Sequence, residues 1–338
     1  MTVSHPTRKA RGMPTAGQVG DSFLPRRPSP RLARVENVPS RSERKARPNH
    51  VRVYGNDHSP WVQAVLLGLY LRDIGHTLVT VPPLTVFRNS GILMPAASID
   101  TGPWLLDSER ILVELGFSEV DADARRALGV VFGNGAMSRA DDAWEFWHRF
   151  SFARDEHPKR LRRAWNHFWR AFSILSFFTL ITLGRRGRSV PTPKRLARGF
   201  VFFQDRLEPS LEFLGGREPD TLDLQLFGLV QMCASIPGAS LTTLQQDPAL
   251  ERLREWVEAM QRRFSGYPHL YSARRFEPTL PEIERATAFE RFFYWCGAAS
   301  MWIAFPITLP IVFYFAWRVR KRGLLEDRAA GSSWQRDV

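Results

Sequence analysis

From Phe293 to Trp317 the sequence runs for 25 residues without a charge. As a helix it would extend about 37 Å, enough to cross a hydrocarbon core of about 30 Å with tilt. Tyr294 and Trp295 stand at one end, and Tyr314 and Trp317 at the other, as in a membrane segment's aromatic belts. Pro306 and Pro310 lie inside the run. They are unusual in a soluble helix and tolerated in a membrane one. The run reads as one transmembrane helix over 291–318, followed by a basic tail over 319–338. The competing reading is a buried core helix.

The charge pattern points the same way. Across 338 residues the formal charge is +13, which on its own suggests a nucleic-acid binder. It is segmental, however. Residues 1–50 carry 11 Lys and Arg against 3 Asp and Glu, residues 318–338 carry 6 against 3, and the middle carries 30 against 28. Within that middle, residues 159–198 hold 11 basic side chains and no acidic one. Two of these basic blocks border apolar sequence, so the charge argues for a membrane surface and against nucleic acid. The second apolar run, Ala171–Leu183, has 13 residues and is bracketed by Arg on both sides. That length favours core packing over membrane contact.

Residues 1–49 are rich in Pro, Ser and Arg, show no apolar periodicity and read as a disordered basic arm. They lack the apolar stretch of a secretory signal. Order begins at Val51-Arg52-Val53-Tyr54-Gly55, a short strand. Ser59 is a good N-cap, Pro60 suits a first helical position, and Trp61 to Tyr70 follow at helical spacing. Thr77–Val81 is a second strand. Ala96–Asp100 and Trp104–Leu106 form a hairpin around Thr101-Gly102, and a helix starts at Asp107 or Ser108. From about Asp121 the pattern is helical. Helices are expected over Arg195–Leu214, from Asp220 through Cys233, and over Leu250–Phe264, with aromatic-rich stretches at 144–152 and 165–172. Asp220 and Asp223 suit an N-cap and a first-turn acid. Gly133-Asn134-Gly135 and Gly215-Gly216 read as turns, since no Gly-Lys-Ser/Thr follows either.

This order, with these motifs, resembles the glutathione S-transferase superfamily over roughly residues 51–268. Four features carry the resemblance: Ser59-Pro60-Trp61 after the first strand, Met94-Pro95 before the third, Asp107-Ser108 opening the third helix, and Asp220 to Asp223 capping a central helix. The apolar tail and the helix with Phe227-Gly228 are reminiscent of the metaxin-like branch. The resemblance implies an α+β thioredoxin-like domain over 50–118 and an all-helical domain over 119–270. A linker or helix over 271–290 then leads to the anchor.

The resemblance also implies roles. Ser59 would be the catalytic residue, its hydroxyl bonding the sulfur of glutathione and favouring the thiolate; as a plain N-cap it would have no such part. Met94, before a cis Pro95, would pair its backbone with the cysteinyl backbone of glutathione. Asp107 and Ser108 would hold the γ-glutamyl end, or would serve only as a helix cap. Residues 83–92 look short for the second helix, which helps bind glutathione in the family. The implied protein is a membrane-anchored transferase conjugating glutathione, its co-substrate, to an apolar electrophile. The alternative is a non-catalytic membrane interaction module. The expected partner is a lipid bilayer through 293–317, with a homodimer or a membrane protein as further options. Glutathione use places the globular part in the cytosol. A single span then puts the basic tail outside, against the positive-inside tendency, whereas a re-entrant bend at Pro306–Pro310 keeps both ends inside. No metal is expected, because His58, His148, His157 and His167 are not at ligand spacing with Cys or carboxylates. Position 59 is Ser and neither Cys233 nor Cys296 matches it, which argues against the mixed-disulfide chemistry of Cys-bearing relatives.

Overall fold

In β1 (Val51–Tyr54) Val51 and Val53 point inward while Arg52 faces solvent, the period-two pattern that buries one face of a strand. The computed structural model describes residues 48–138, 154–185, 192–234, 239–270 and 284–334, apart from His58, Glu156, Pro209 and His269. The expected arm therefore lies almost wholly outside the described residues, as do the aromatic stretch at 144–152 and most of the linker.

β1 leads through α1 (Pro60–Leu71) to β2 (His76–Val79), which pairs parallel with β1. A short α2 (Leu84–Ser90) follows, then β3 (Ala96–Ile99) and β4 (Trp104–Leu106), both antiparallel to their neighbours. The sheet order is β2-β1-β3-β4, and α3 (Ser108–Glu114) closes the unit. A mixed four-stranded sheet built as βαβ and then ββα is the thioredoxin-like arrangement. The second helix does form, with only seven residues.

Among the described residues, the elements after α3 are helices, with an isolated bridge between Phe213 and Gly216 at the expected Gly215-Gly216 turn. The order is α4 (Ala122–Ser138), α5 (Arg160–Arg185), α6 (Pro193–Arg206), α7 (Thr221–Ala234), α8 (Ala239–Gln246), a 3₁₀ turn at Pro248–Leu250, α9 (Glu251–Arg263) and α10 (Ala288–Trp334). One apolar core runs through both parts, joining Val53, Val65 and Leu112 to Leu224, Phe227 and Trp256. α7 is buried along its length, and Gly228 is where it meets α1: a Cβ there would lie 2.3 Å from the Pro60 carbonyl oxygen.

Three expectations need correction. Gly133-Asn134-Gly135 is not a turn but the interior of α4. Asn134 is buried there and donates to the Arg195 carbonyl at 3.4 Å, so packing on α6 outweighs the local glycine preference. α6 ends at Arg206 rather than Leu214 and starts earlier, where Thr192 caps the chain ahead of Pro193. The apolar run does not bend at its prolines: α10 passes unbroken through Pro306 and Pro310 and continues to Trp334. It is long and apolar enough to cross a membrane.

α10 starts with a reciprocal capping box. Thr287 N–H donates to Glu290 Oε2 at 2.8 Å, and Glu290 N–H to Thr287 Oγ1 at 3.3 Å. Glu290 is fully buried and also accepts from Arg163 Nε of α5 at 2.5 Å. Further along, Ala298 and Met301 pack on Leu175, the core-packing role expected of the second apolar run.

Candidate functional site

The site is assembled from the turns between these elements. The β1–α1 loop places Ser59 at the N-cap of α1, yet its side chain makes no capping hydrogen bond, which leaves the hydroxyl uncommitted to the helix. The loop is tied to the β3 entry by Asn56 N–H, which donates to Met94 Sδ at 3.3 Å. Gly55 lets the loop lie close against α1, because a Cβ would fall 2.4 Å from Val62 Cγ2.

The Met94–Pro95 peptide is cis, as the resemblance implies. Met94 precedes β3, and its main-chain N–H and C=O take no partner among the described residues. The Pro95 carbonyl accepts from Asp107 N–H at 3.3 Å, joining this corner to the start of α3. Asp107 has a φ of 81°, a left-handed conformation that Asp tolerates better than most side chains. Its Oδ1 accepts from Glu109 N–H at 2.8 Å and Arg110 N–H at 3.4 Å. Asp107 is thus a helix cap through one oxygen, with the second left over. Solvent reaches its outer side, yet the atoms packed around the carboxyl raise its pKa, opposed by those two N–H donors.

Ser108 is buried, and its Oγ accepts from Gln225 Nε2 of α7 at 3.0 Å. Since the amide donates, the Ser108 hydroxyl hydrogen stays available to another acceptor. Beside them Glu109 holds Arg125 of α4 by two bonds, Nε to Oε2 at 2.9 Å and Nη2 to Oε1 at 2.7 Å.

Met94, Pro95, Asp107 and Ser108 line one cavity of about 330 Å³ with Gln225 and Trp61. That volume lies at the small end of ligand pockets, roughly 300–1,000 Å³. Four of the five expected site residues therefore come together. Ser59 is not among the lining residues, although Trp61, two positions on, is. Sequence reasoning missed Gln225 and Arg125. Gln225 carried a usable signal, being one of the few polar residues in a strongly apolar helix.

Behind the loop, Gln63 Nε2 donates to the Asp57 carbonyl at 2.6 Å, and Tyr267 Oη donates to Gln63 Oε1 at 3.2 Å. Burial, with Asp57 nearby, pushes the Tyr267 hydroxyl above its ordinary range, so it stays a donor. Asp223 is the first-turn acid expected at the start of α7, and it is fully buried. It accepts from Leu214, Gly215 and Asp220 N–H and from Trp256 Nε1, all within 3.1 Å. Among the described residues no group of three or more His, Cys, Asp or Glu could hold a metal ion.

No family model matches the sequence, and no curated protein matches it. Solved structures do. A glutathione S-transferase from Pseudomonas fluorescens aligns over 65% of this chain and 96% of its own, at 16% identity and a TM-score of 0.36. Glutaredoxin 2 from Salmonella typhimurium, solved with glutathione, aligns over 64% and 95%, at 16% identity and 0.39. A Methylobacterium radiotolerans glutathione S-transferase, solved with glutathione sulfonate, aligns over 70% and 100%, at 16% identity and 0.37. These are similarities in outline. The thioredoxin-like domain followed by a helical domain stands on the strand order and helix sequence themselves.

Proposed function

We propose that this chain is a membrane-associated glutathione transferase, joining the glutathione thiolate to an apolar electrophile drawn from lipid. One observation carries the reading: the unpaired main chain of Met94, the carboxylate of Asp107 and the Ser108–Gln225 pair line a single cavity. Each suits one part of the tripeptide. The Met94 backbone can pair with the cysteinyl backbone like an added strand. The remaining oxygen of Asp107 can accept from the γ-glutamyl ammonium, and the Ser108 hydroxyl can donate to the neighbouring carboxylate. Ser59 would donate its hydroxyl hydrogen to the sulfur, at the α1 N-terminus where the macrodipole favours an anion by about 0.3–1 kcal/mol. The thiol proton passes to water, and the sulfur lone pair forms the new S–C bond as the electrophile's polarised C=C π bond opens, the resulting carbanion taking a proton from water. The apolar stretch of α10 would hold the enzyme where such electrophiles collect.

A second reading keeps the fold and drops the reaction, leaving a membrane interaction module. The observation that favours it is the absence of Ser59 from the cavity lining. The two separate cleanly. The full chain in detergent is passed over immobilised glutathione, then assayed for thiol conjugation to a generic electrophile. Retention with turnover is expected. Retention without turnover selects the second reading, and a folded chain that ignores glutathione sinks the transferase.

A further inference from the structure

α10 leaves one apolar face uncovered along its charge-free stretch. Trp295, Trp302, Ile303, Ile307, Tyr314 and Trp317 are all exposed, Ile303 to 81% and Ile307 to 69%. At about 100° per residue all six fall on one side of the helix, although Trp302 and Ile303 are adjacent in sequence. The opposite side carries Tyr294, Ala298 and Met301, all buried.

The path of α10 is held at three points. Glu290 pairs with Arg163 near the start of α5. Gly297 lies so close to Phe168 that a Cβ would sit 2.2 Å from its carbonyl oxygen. Phe315 packs on Phe87 of α2, with ring centroids 6.2 Å apart, and against Gly91. Residue numbers rise together along the first two contacts, so α5 and α10 run parallel. α5 is joined at both ends to the body, since α4 before it and α6 after it pack on each other. α10 is therefore held lengthwise from Glu290 to Phe315, about 37 Å of helix. To cross a bilayer it would have to abandon α5 or α2.

The distribution of its side chains fits another arrangement. Trp302 stands mid-run, where a spanning helix has the centre of the hydrocarbon core, although Trp favours the interface. Cations mark both ends and none lies between. Arg160 sits over the Phe289 ring at 4.5 Å with Lys159 and Arg162 exposed beside it, and Lys321 sits over Trp317 at 5.2 Å.

We propose that α10 lies flat in one leaflet of an anionic membrane, its exposed face in the headgroup–acyl boundary and its cationic ends on the lipid phosphates. The basic tail then stays on the same side as the globular part, which removes the conflict with the positive-inside tendency. This inference rests on the membrane association proposed above and is independent of glutathione chemistry.

Depth measurement tests it. The full chain, with Cys296→Ser and in turn Ile303→Cys, Ile307→Cys or Trp317→Cys, is nitroxide-labelled and bound to phosphatidylcholine–phosphatidylglycerol vesicles. These positions are exposed, so the labels leave the packed side intact. The expected result is one shared depth, about 5–10 Å below the headgroups. Unlabelled wild-type chain with a C-terminal tag, added from outside, should lose the tag to external protease. Labels at Ile303 and Ile307 near the bilayer centre, with a protected tag, overturn the flat arrangement and leave membrane association standing. A chain that ignores the vesicles, as a dimer covering this face would, overturns both.

Discussion

Gln225 Nε2 donates to Ser108 Oγ across 117 residues of sequence, and this bond joins the helical domain to the binding corner of the thioredoxin-like domain. It also sets polarity, since the serine spends a lone pair and keeps its hydrogen for a ligand. Gln225→Met keeps the volume and removes the donor. Losing one buried bond and leaving the serine oxygen unpaired should cost about 1–3 kcal/mol in stability. Denaturant titration reads that loss, and calorimetry with glutathione should show weaker binding. Unchanged affinity would remove Gln225 from the site.

Gly228 and Pro60 set the contact between the two domains. The nearest atom to a Cβ at position 228 would be a backbone oxygen, which cannot swing aside as a side-chain tip can. Gly228→Ala must part α7 from α1 and should cost about 1–3 kcal/mol or more. Because Ser59 adjoins Pro60, the shift should also reach glutathione conjugation. Thermal unfolding and turnover, measured together, check both effects. A variant as stable as wild type would mean that the helices separate freely.

Which parts of this architecture were legible follows from the range of the forces involved. Ser59-Pro60, Met94-Pro95 and Asp107-Ser108 announce themselves, because caps and proline turns are settled within a few residues. The strands of the hairpin are legible for the same reason. The partners of those residues are not. Gln225 reaches Ser108 over 117 positions and Arg163 reaches Glu290 over 127, so no local rule points to either. Asp223 was readable as a helix-start acid, but its burial under Trp256 was not. Asn134 shows the opposite failure: two flanking glycines suggest a turn, and contact with α6 keeps the helix. The apolar run was legible as apolar. Its packed and exposed sides were not, because they depend on α5 and α2.

The Glu290 junction should respond to acid. Burial pushes its carboxyl up, but the Arg163 and Thr287 donors outweigh this and hold it below the usual carboxylate range. A carboxylate depressed in the folded state adds stability above its unfolded pKa of about 4.3, and that stability is lost as pH falls through the folded value. The start of α10 should therefore loosen from α5 below about pH 4. Hydrogen exchange in α10 should rise there in wild type, and Glu290→Gln should flatten the dependence. A profile unaffected by that substitution would place the acid response elsewhere.

Ser59 tests the chemistry most directly. Its hydroxyl makes no capping bond, so Ser59→Ala should leave stability within about 0.5 kcal/mol. A hydrogen bond from a neutral hydroxyl to a thiolate is a bond to a charged group, worth about 1.5–3 kcal/mol. Its loss should raise the pKa of bound glutathione thiol by one to two units, at about 1.36 kcal/mol per unit. Ultraviolet titration of the thiolate reads this shift without any electrophile. At neutral pH conjugation should fall about tenfold to a hundredfold, and raising the pH should recover part of it. Thiol titration identical in Ser59→Ala and wild type would remove Ser59 from the reaction and, with glutathione still bound, leave the non-catalytic reading in its place.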